Sequence, residues 1–237
     1  MAGLRSLLFN LGFNLWTAII VVAGLPTLLF SYRAVYGLGR LWVVVTLGML
    51  KALTGLDHRV VGIENRQEGP AIYAVKHQST WDTLAFALYL HYPAYVLKRE
   101  LLYLPFFGFL LLGAGMIPVD RQGRASALKR MLAVAKRRRD EGRDLLIFPE
   151  GTRVAPGQHR PYQPGVAALY GHLDLPVVPV ALNSGLFWAR RSFVKKPGTI
   201  TLEFLPAIAP GLPRKAFMAE LEKRLEGASR RLAGKIA

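Results

Sequence analysis

The chain has 237 residues, of which 52% are hydrophobic, and a formal net charge of +16. A composition this apolar excludes a disordered or fibrous protein. The absence of cysteine excludes disulfides, thiolate metal sites and a cysteine-linked covalent intermediate. The excess of positive charge indicates an anionic partner, which composition leaves open between nucleic acid, anionic lipid and a phosphorylated substrate.

The N-terminal segment, residues 1–56, is apolar and carries few charges. The run from Leu7 to Phe30 is long enough to cross a hydrocarbon core of ~30 Å, although two asparagines and a proline interrupt it. A second run, Leu41 to Leu50, is too short to span unless Lys51 snorkels. Two arrangements compete: a helical hairpin that dips into one leaflet, or one span followed by an interfacial helix. We favour the hairpin, with a basic surface facing anionic headgroups.

A different pattern follows in residues 57–237, where short β-like runs alternate with helical ones. The predicted strands are Arg59–Ile63, Ala71–Val75, Ala94–Leu97, Met116–Val119, Asp144–Phe148, Val177–Ala181 and Thr199–Phe204. The predicted helices are Trp81–Tyr89, Leu101–Leu112, Arg124–Asp140, Gly165–His172 and an amphipathic C-terminal helix, Pro213–Leu232. This alternation predicts an α/β domain with a mostly parallel central sheet flanked by helices, preceded by the hydrophobic hairpin.

The segment His77-Gln78-Ser79-Thr80-Trp81-Asp82 places a histidine and a carboxylate five positions apart, between a predicted strand and a predicted helix. Open α/β sheets usually hold their chemistry at such a junction. Asp82 could accept a hydrogen bond from one ring nitrogen of His77, which would fix the tautomer and leave the other nitrogen basic. The alternatives are an aspartate that caps the helix or complements its dipole, and a structural histidine.

A second polar segment, Phe148-Pro149-Glu150-Gly151-Thr152-Arg153, also follows a predicted strand. Gly151 would let the backbone approach a ligand closely. Arg153 can make a bidentate contact with phosphate, and Glu150 can orient it or a substrate hydroxyl. The alternative is a structural Glu–Arg pair in a tight loop.

Lys98 and Arg121 are expected at corresponding strand ends, where they would widen an anion pocket, unless each is only a surface charge. A fourth segment, Val177-Val178-Pro179-Val180, is also expected to follow a strand. No G-x-S-x-G elbow, H-E-x-x-H motif or Walker loop occurs, so neither a serine nucleophile nor a metal site is expected. Helix-turn-helix, RRM and zinc-finger signatures are absent too, which argues against a nucleic-acid partner.

Taken in order, these segments resemble the motifs of the glycerolipid acyltransferases. The first is similar to their H-x4-D motif and the second to their F-P-E-G-T-R block. The family has two further blocks. The one between these two motifs is similar to Lys98-Arg99-Glu100-Leu101 together with Ile117-Pro118-Val119-Asp120-Arg121, and the final proline block is similar to Val177-Val178-Pro179-Val180. The agreement covers about residues 60 to 210, and the hydrophobic N-terminus is most like that of the bacterial 1-acyl-glycerol-3-phosphate acyltransferases. Lys76, where the family often has Asn, and Gln163, where Lys is common, depart from the pattern.

The resemblance implies transfer of a fatty acyl chain from a thioester to the sn-2 hydroxyl of lysophosphatidic acid, giving phosphatidic acid. His77 would act as general base, oriented by Asp82, with Ser79 a bystander and the amides from Gln78 to Trp81 as oxyanion donors. The acceptor would be bound by Glu150, Gly151, Thr152, Arg153, Lys98 and Arg121.

No permanently bound cofactor is implied, since the thioester of coenzyme A or acyl carrier protein arrives as co-substrate. The resemblance also implies attachment to an anionic phospholipid surface of the inner, cytoplasmic membrane, with the catalytic domain on the cytoplasmic side. The stretch Leu101 to Leu112 would line an acyl-chain tunnel or form a buried packing helix. The alternatives for function are acylation of another acceptor, such as glycerol-3-phosphate or another lysolipid, and a non-catalytic basic membrane tether.

Overall fold

The computed structural model describes residues 1–234; the last three residues of the predicted 57–237 domain lie outside this range. Its centre is a seven-stranded sheet in the order β1-β7-β6-β2-β5-β3-β4. The strands are β1 (Leu56–Val61), β2 (Ile72–Val75), β3 (Ala94–Lys98), β4 (Ile117–Val119), β5 (Leu145–Ile147), β6 (Val177–Leu182) and β7 (Gly198–Phe204). All neighbours pair in parallel except β6 and β7. The predicted α/β class with a mostly parallel sheet is confirmed.

Helices cover both faces of this sheet. They are α1 (Ala2–Gly24), α2 (Tyr32–Thr54), α3 (Trp81–Tyr89), α4 (Phe107–Gly113), α5 (Arg124–Asp140), α6 (Pro164–Leu173) and α7 (Arg214–Gly234). Successive residues of β2 point to opposite faces. Ile72 and Ala74 join the apolar core beneath α5, α6 and α7, whereas Tyr73 and Val75 join the core beneath α2 and α3. All four residues of β2 are fully buried, so this strand is held firmly at the centre of the sheet. The loop that follows β2 therefore begins at a fixed position.

The N-terminal residues form an antiparallel hairpin of two 23-residue helices, joined by a 3₁₀ turn at Leu25–Leu29. The second helix extends well beyond the predicted apolar run, because Arg33, Arg40 and Lys51 lie on its exposed side. Both helices are long and apolar enough to cross a membrane by length and composition.

This hairpin packs against the α/β domain along its whole length. At its open end, Phe9 is fully buried and packs edge-on against Trp188 at 5.5 Å. At its turn, the Tyr36 hydroxyl donates to the Pro93 carbonyl at 2.5 Å, and Val35 packs with Leu110 of α4. The outer face of the hairpin remains exposed; it is largely apolar on α1, whereas on α2 it also carries Arg33, Arg40 and Lys51.

The predicted helix Leu101–Leu112 is wrong in its first half. The chain forms a 3₁₀ turn at Arg99–Tyr103 and begins α4 only at Phe107. Pro105 has no amide hydrogen and disfavours helical geometry in the residue before it. Phe106 then takes a positive φ of 60°, and the chain doubles back. Leu104, Phe106 and Phe109 are exposed, so this stretch is not a buried packing helix.

Candidate active site

The loop between β2 and α3 brings the predicted catalytic pair together. His77 Nδ1 lies 3.1 Å from Asp82 Oδ2. The imidazole also stacks on the ring of Phe148, with 4.0 Å between centroids and an interplanar angle of 20°. With Asp82 accepting from Nδ1–H, Nε2 is the nitrogen left free to take a proton. The pair therefore has the geometry of a base and its orienting carboxylate.

Asp82 is completely buried and accepts four hydrogen bonds. Its Oδ2 receives the amides of Gln78 and Ser79, at 2.6 and 2.7 Å, in addition to His77. Its Oδ1 receives the hydroxyl of Ser184 at 2.5 Å, from the loop after β6. These bonds hold the carboxylate against the histidine loop from two sides.

Three of the four backbone amides that were expected to bind an oxyanion already donate to other groups. The Gln78 and Ser79 amides donate to Asp82, and the Trp81 amide donates to the Ser79 hydroxyl at 3.1 Å. These three amides are therefore engaged, and the expectation that they face an oxyanion is wrong. Within residues 1–234, the Thr80 amide alone of this group has no such partner. Ser79 itself is buried, and its hydroxyl accepts the Trp81 amide at the start of α3.

Glu150 lies beneath the histidine instead of in an open pocket. Its side chain is fully buried, and Oε2 accepts the His77 amide at 3.1 Å. Oε1 lies 2.7 Å from Lys76 Nζ. Burial raises the pKa of Glu150, while the Lys76 ammonium opposes that shift. Glu150 therefore supports the main chain of His77, and among the residues that the structure describes no arginine pairs with it.

Arg153 faces the histidine loop. Its Nη1 donates to the Thr80 hydroxyl at 2.8 Å, and the Val154 amide next to it donates to the His77 carbonyl at 2.8 Å. Partial burial, followed by the charge of Arg190, lowers the pKa of Arg153, whereas Asp82 raises it. A cation is thus held within electrostatic reach of the catalytic pair, as an anionic substrate group would require.

The other predicted anion-binding residues lie at different distances from this centre. Gly151 turns with a φ of +67°, and a Cβ placed on it would stand 3.7 Å from Arg121 Nη2, so Arg121 reaches this turn. Thr152 is half-buried beside them. Lys98 is exposed at the end of β3, two strands from β2 in the sheet. The fourth segment does not follow a strand, because Val177 to Val180 lie within β6 itself.

Several residues of the site were not predicted from the sequence. Ser184 and Gly185 lie beyond the predicted fourth segment, yet Ser184 binds Asp82 and the Gly185 amide donates to Gln78 Oε1 at 3.1 Å. A Cβ on Gly185 would stand 2.8 Å from Pro156, so only glycine permits this close approach. Arg190 and Arg191, whose charges act on Arg153, are an adjacent basic pair that could have suggested an anion site.

Comparison with known proteins places this geometry in a family. The family model for acyltransferases matches residues 57–183. A 1-acyl-sn-glycerol-3-phosphate acyltransferase of Pseudomonas aeruginosa is 38% identical over 186 residues, covering 78% of this chain and 72% of that protein. One of Limnanthes alba is 31% identical over 174 residues, covering 72% of this chain and 61% of that protein.

The fold is shared with a solved structure of much lower sequence identity. The crystal structure of the 1-acyl-sn-glycerophosphate (LPA) acyltransferase PlsC from Thermotoga maritima superimposes with a TM-score of 0.78 at 19% identity, and the match covers 98% of both chains. It includes the N-terminal hairpin as well as the sheet. The chain is an acyltransferase, as the matched family model and the histidine–aspartate loop indicate together. More specifically, it belongs to the 1-acyl-sn-glycerol-3-phosphate acyltransferase family.

Proposed function

We propose that this protein transfers a fatty acyl group from a thioester to the sn-2 hydroxyl of lysophosphatidic acid, giving phosphatidic acid. The contact of His77 Nδ1 with the buried Asp82 carboxylate carries the proposal, because it leaves one imidazole nitrogen as a base. The names of the related proteins support lysophosphatidic acid as the acceptor.

The reaction needs no acyl-enzyme. His77 Nε2 takes the proton of the acceptor hydroxyl as its oxygen attacks the thioester carbonyl carbon. The carbon–sulfur bond then breaks, and the departing thiolate receives the proton from the imidazolium. Asp82 holds the ring and stabilises its charged form, and we assign donation to the oxyanion to the Thr80 amide.

The acceptor phosphate is assigned to Arg153, with Arg121 at the neighbouring Gly151 turn. Lys98 contributes at longer range, and Gly151 and Thr152 shape the turn. Glu150 acts indirectly through His77, since its side chain is buried, with Oε2 accepting the His77 amide and Oε1 beside the Lys76 ammonium. Acyl-coenzyme A or acyl carrier protein supplies the acyl chain as a co-substrate, without a permanently bound cofactor.

We also propose that the hairpin anchors the enzyme in one leaflet. A hairpin that crossed the bilayer would carry its turn about 30 Å away from the domain. Here the turn end contacts the domain through Tyr36 and Pro93, and the open end contacts it through Phe9 and Trp188. The hairpin thus lies along the domain with its apolar outer face free for lipid. The net charge of +16 favours the anionic cytoplasmic surface.

An acceptor panel tests the substrate assignment. The purified full-length enzyme in detergent micelles is given lysophosphatidic acid, glycerol-3-phosphate, lysophosphatidylcholine or lysophosphatidylethanolamine with one acyl donor. We expect kcat/KM to be highest for lysophosphatidic acid. A higher value for glycerol-3-phosphate or another lysolipid would replace the acceptor while leaving the acyl-transfer chemistry in place.

Arg153→Ala is expected to raise the KM for lysophosphatidic acid by about 10–100-fold, because a charge-assisted hydrogen bond to a buried group contributes about 1.5–3 kcal/mol. The KM for the acyl donor should change much less. Steady-state kinetics with each substrate varied in turn measures both values. Arg137→Ala, at an exposed position on α5, is the matched control and should change neither. An increase confined to the donor KM would contradict the phosphate role.

The anchor is tested by placing charge on the outer face of the hairpin. Leu11 and Leu15 are 60% and 65% exposed on α1. The double variant Leu11→Lys/Leu15→Lys should reduce binding to vesicles of phosphatidylethanolamine and phosphatidylglycerol by roughly tenfold or more, because lysine is costly in hydrocarbon. Flotation measures the bound fraction. Val61→Lys, at an exposed apolar position of β1, should bind as the parent does; equal binding of all three proteins would refute the anchoring role.

A further inference from the structure

A buried lysine lies directly before the catalytic histidine. Lys76 follows β2 and is only 2% exposed. Its Nζ lies 2.6 Å from Glu226 Oε1 on α7 and 2.7 Å from Glu150 Oε1 after β5. Lysine is almost never this buried unless it is paired. The acyl-transfer chemistry of His77 and Asp82 gives this ammonium no direct task.

The two carboxylates continue the network in opposite directions. Glu226 Oε1 also accepts the Tyr162 hydroxyl at 2.8 Å. Glu150 Oε2 accepts the main-chain amide of His77 at 3.1 Å. Glu150 therefore binds two consecutive residues, the side chain of Lys76 and the backbone of His77. Through Lys76, the C-terminal helix is connected to the loop that carries the catalytic base.

We infer that the Lys76–Glu226 ion pair positions His77 by fixing Glu150 beneath its main chain. This inference rests on the proposed function in so far as His77 is the base. A displaced Glu150 releases the His77 amide and allows the imidazole to move relative to Asp82 and the acceptor hydroxyl. A misplacement of about 1 Å can lower a rate by roughly 100-fold. Lys76, Glu150 and Glu226 are thus positioning residues that do not touch the reacting atoms.

The charges explain why Lys76 and Glu226 act as a pair. The cluster holds one ammonium and two carboxylates, all buried. Removing Lys76 alone leaves Glu150 and Glu226 facing each other without a cation, which is strongly destabilising for buried charges. Removing the charge of Glu226 as well leaves a single carboxylate. That carboxylate, Glu150, can keep the His77 amide as its partner.

The resemblance to the wider family supplies the substitution that tests this coupling. Lys76 stands where Asn often precedes the histidine. An asparagine carries no charge and has no need of a counterion on α7. Lys76→Asn, Glu226→Gln and the double variant therefore form a cycle in which the charges are removed singly and together.

In full-length enzyme in detergent micelles, Lys76→Asn should lower the apparent Tm by roughly 10 °C and kcat by roughly 100-fold. The KM for lysophosphatidic acid should stay within about twofold, because the phosphate contacts are intact. Lys76→Asn/Glu226→Gln should recover most of the Tm loss and roughly tenfold in kcat relative to Lys76→Asn. Additive losses in the double variant, or a change in KM in place of kcat, would overturn the inference.

Glu222→Gln is the matched control, one turn before Glu226 on the same helix. Glu222 is 40% exposed and pairs with His159 instead of Lys76. It should leave both Tm and kcat at parental values. The Tm values of the cycle also separate this inference from the proposed function. Coupling between Lys76 and Glu226 appears in the Tm values even if the parent enzyme acylates a different acceptor. If the coupling is intact but the parent enzyme does not acylate lysophosphatidic acid, only the substrate assignment is contradicted.

Discussion

His77→Ala is expected to lower kcat by about 10²–10⁴-fold, the usual contribution of a positioned general base. In the proposed reaction the imidazole removes the proton of the acceptor hydroxyl, and its Nδ1 is already committed to Asp82. The KM for both substrates should change little, because the phosphate contacts at Arg153 and the apolar hairpin are unaffected. Acyl incorporation from a radiolabelled thioester, measured under saturating substrate, gives the loss directly.

His159→Ala provides the control for this substitution. His159 is exposed, and its side chain pairs with Glu222 at 2.5 Å. The His159→Ala variant should retain full activity. The His77→Ala variant should bind vesicles as the parent does and lose only the acyl transfer. Undiminished incorporation by His77→Ala would remove the base assignment. Loss of vesicle binding together with activity would indicate that His77 supports the fold instead.

The order of strands and helices followed from local patterns in the sequence. All seven strands were predicted near their observed positions. The central strands β2, β5 and β6 are buried on both faces, and strands of this kind are short continuous apolar runs. α3 and α5 match their predicted bounds, since each has a clear change in residue type at both ends. The error at Leu101–Leu112 arose where Pro105 and a positive φ at Phe106 break an apolar run that periodicity alone joins together.

The catalytic pair was predictable because its members are five residues apart and a strand–helix junction brings them together. Ser184 was not, since it is 102 residues from Asp82 in the chain and contacts it only after β6 is placed beside β2. Glu150 was predicted to orient Arg153 or a substrate hydroxyl because it lies in a polar turn that follows a strand. Its burial depends on Lys76 and on Glu226 of the last helix, and no local pattern records contacts of that range.

Asp82→Asn is expected to lower kcat by roughly 10³-fold or more, as loss of the orienting carboxylate does in other catalytic triads. An asparagine amide would donate to His77 Nδ1 and reverse the tautomer, so that Nε2 carries the proton it should receive. The substitution also disturbs the amides of Gln78 and Ser79, which now donate to Oδ2. Each buried donor left without an acceptor costs about 1–3 kcal/mol, so the Tm should fall as well.

Ser184→Ala separates these two effects, because it removes one hydrogen bond to Oδ1 and leaves the Oδ2 contacts with His77 in place. We expect its kcat to fall by only about tenfold, as for a single hydrogen bond to a charged group that contributes about 1.5 kcal/mol. Equal losses of kcat in the two variants would contradict the specific role of Oδ2 in orienting His77. They would show instead that Asp82 acts by holding the loop through all the hydrogen bonds of its carboxylate.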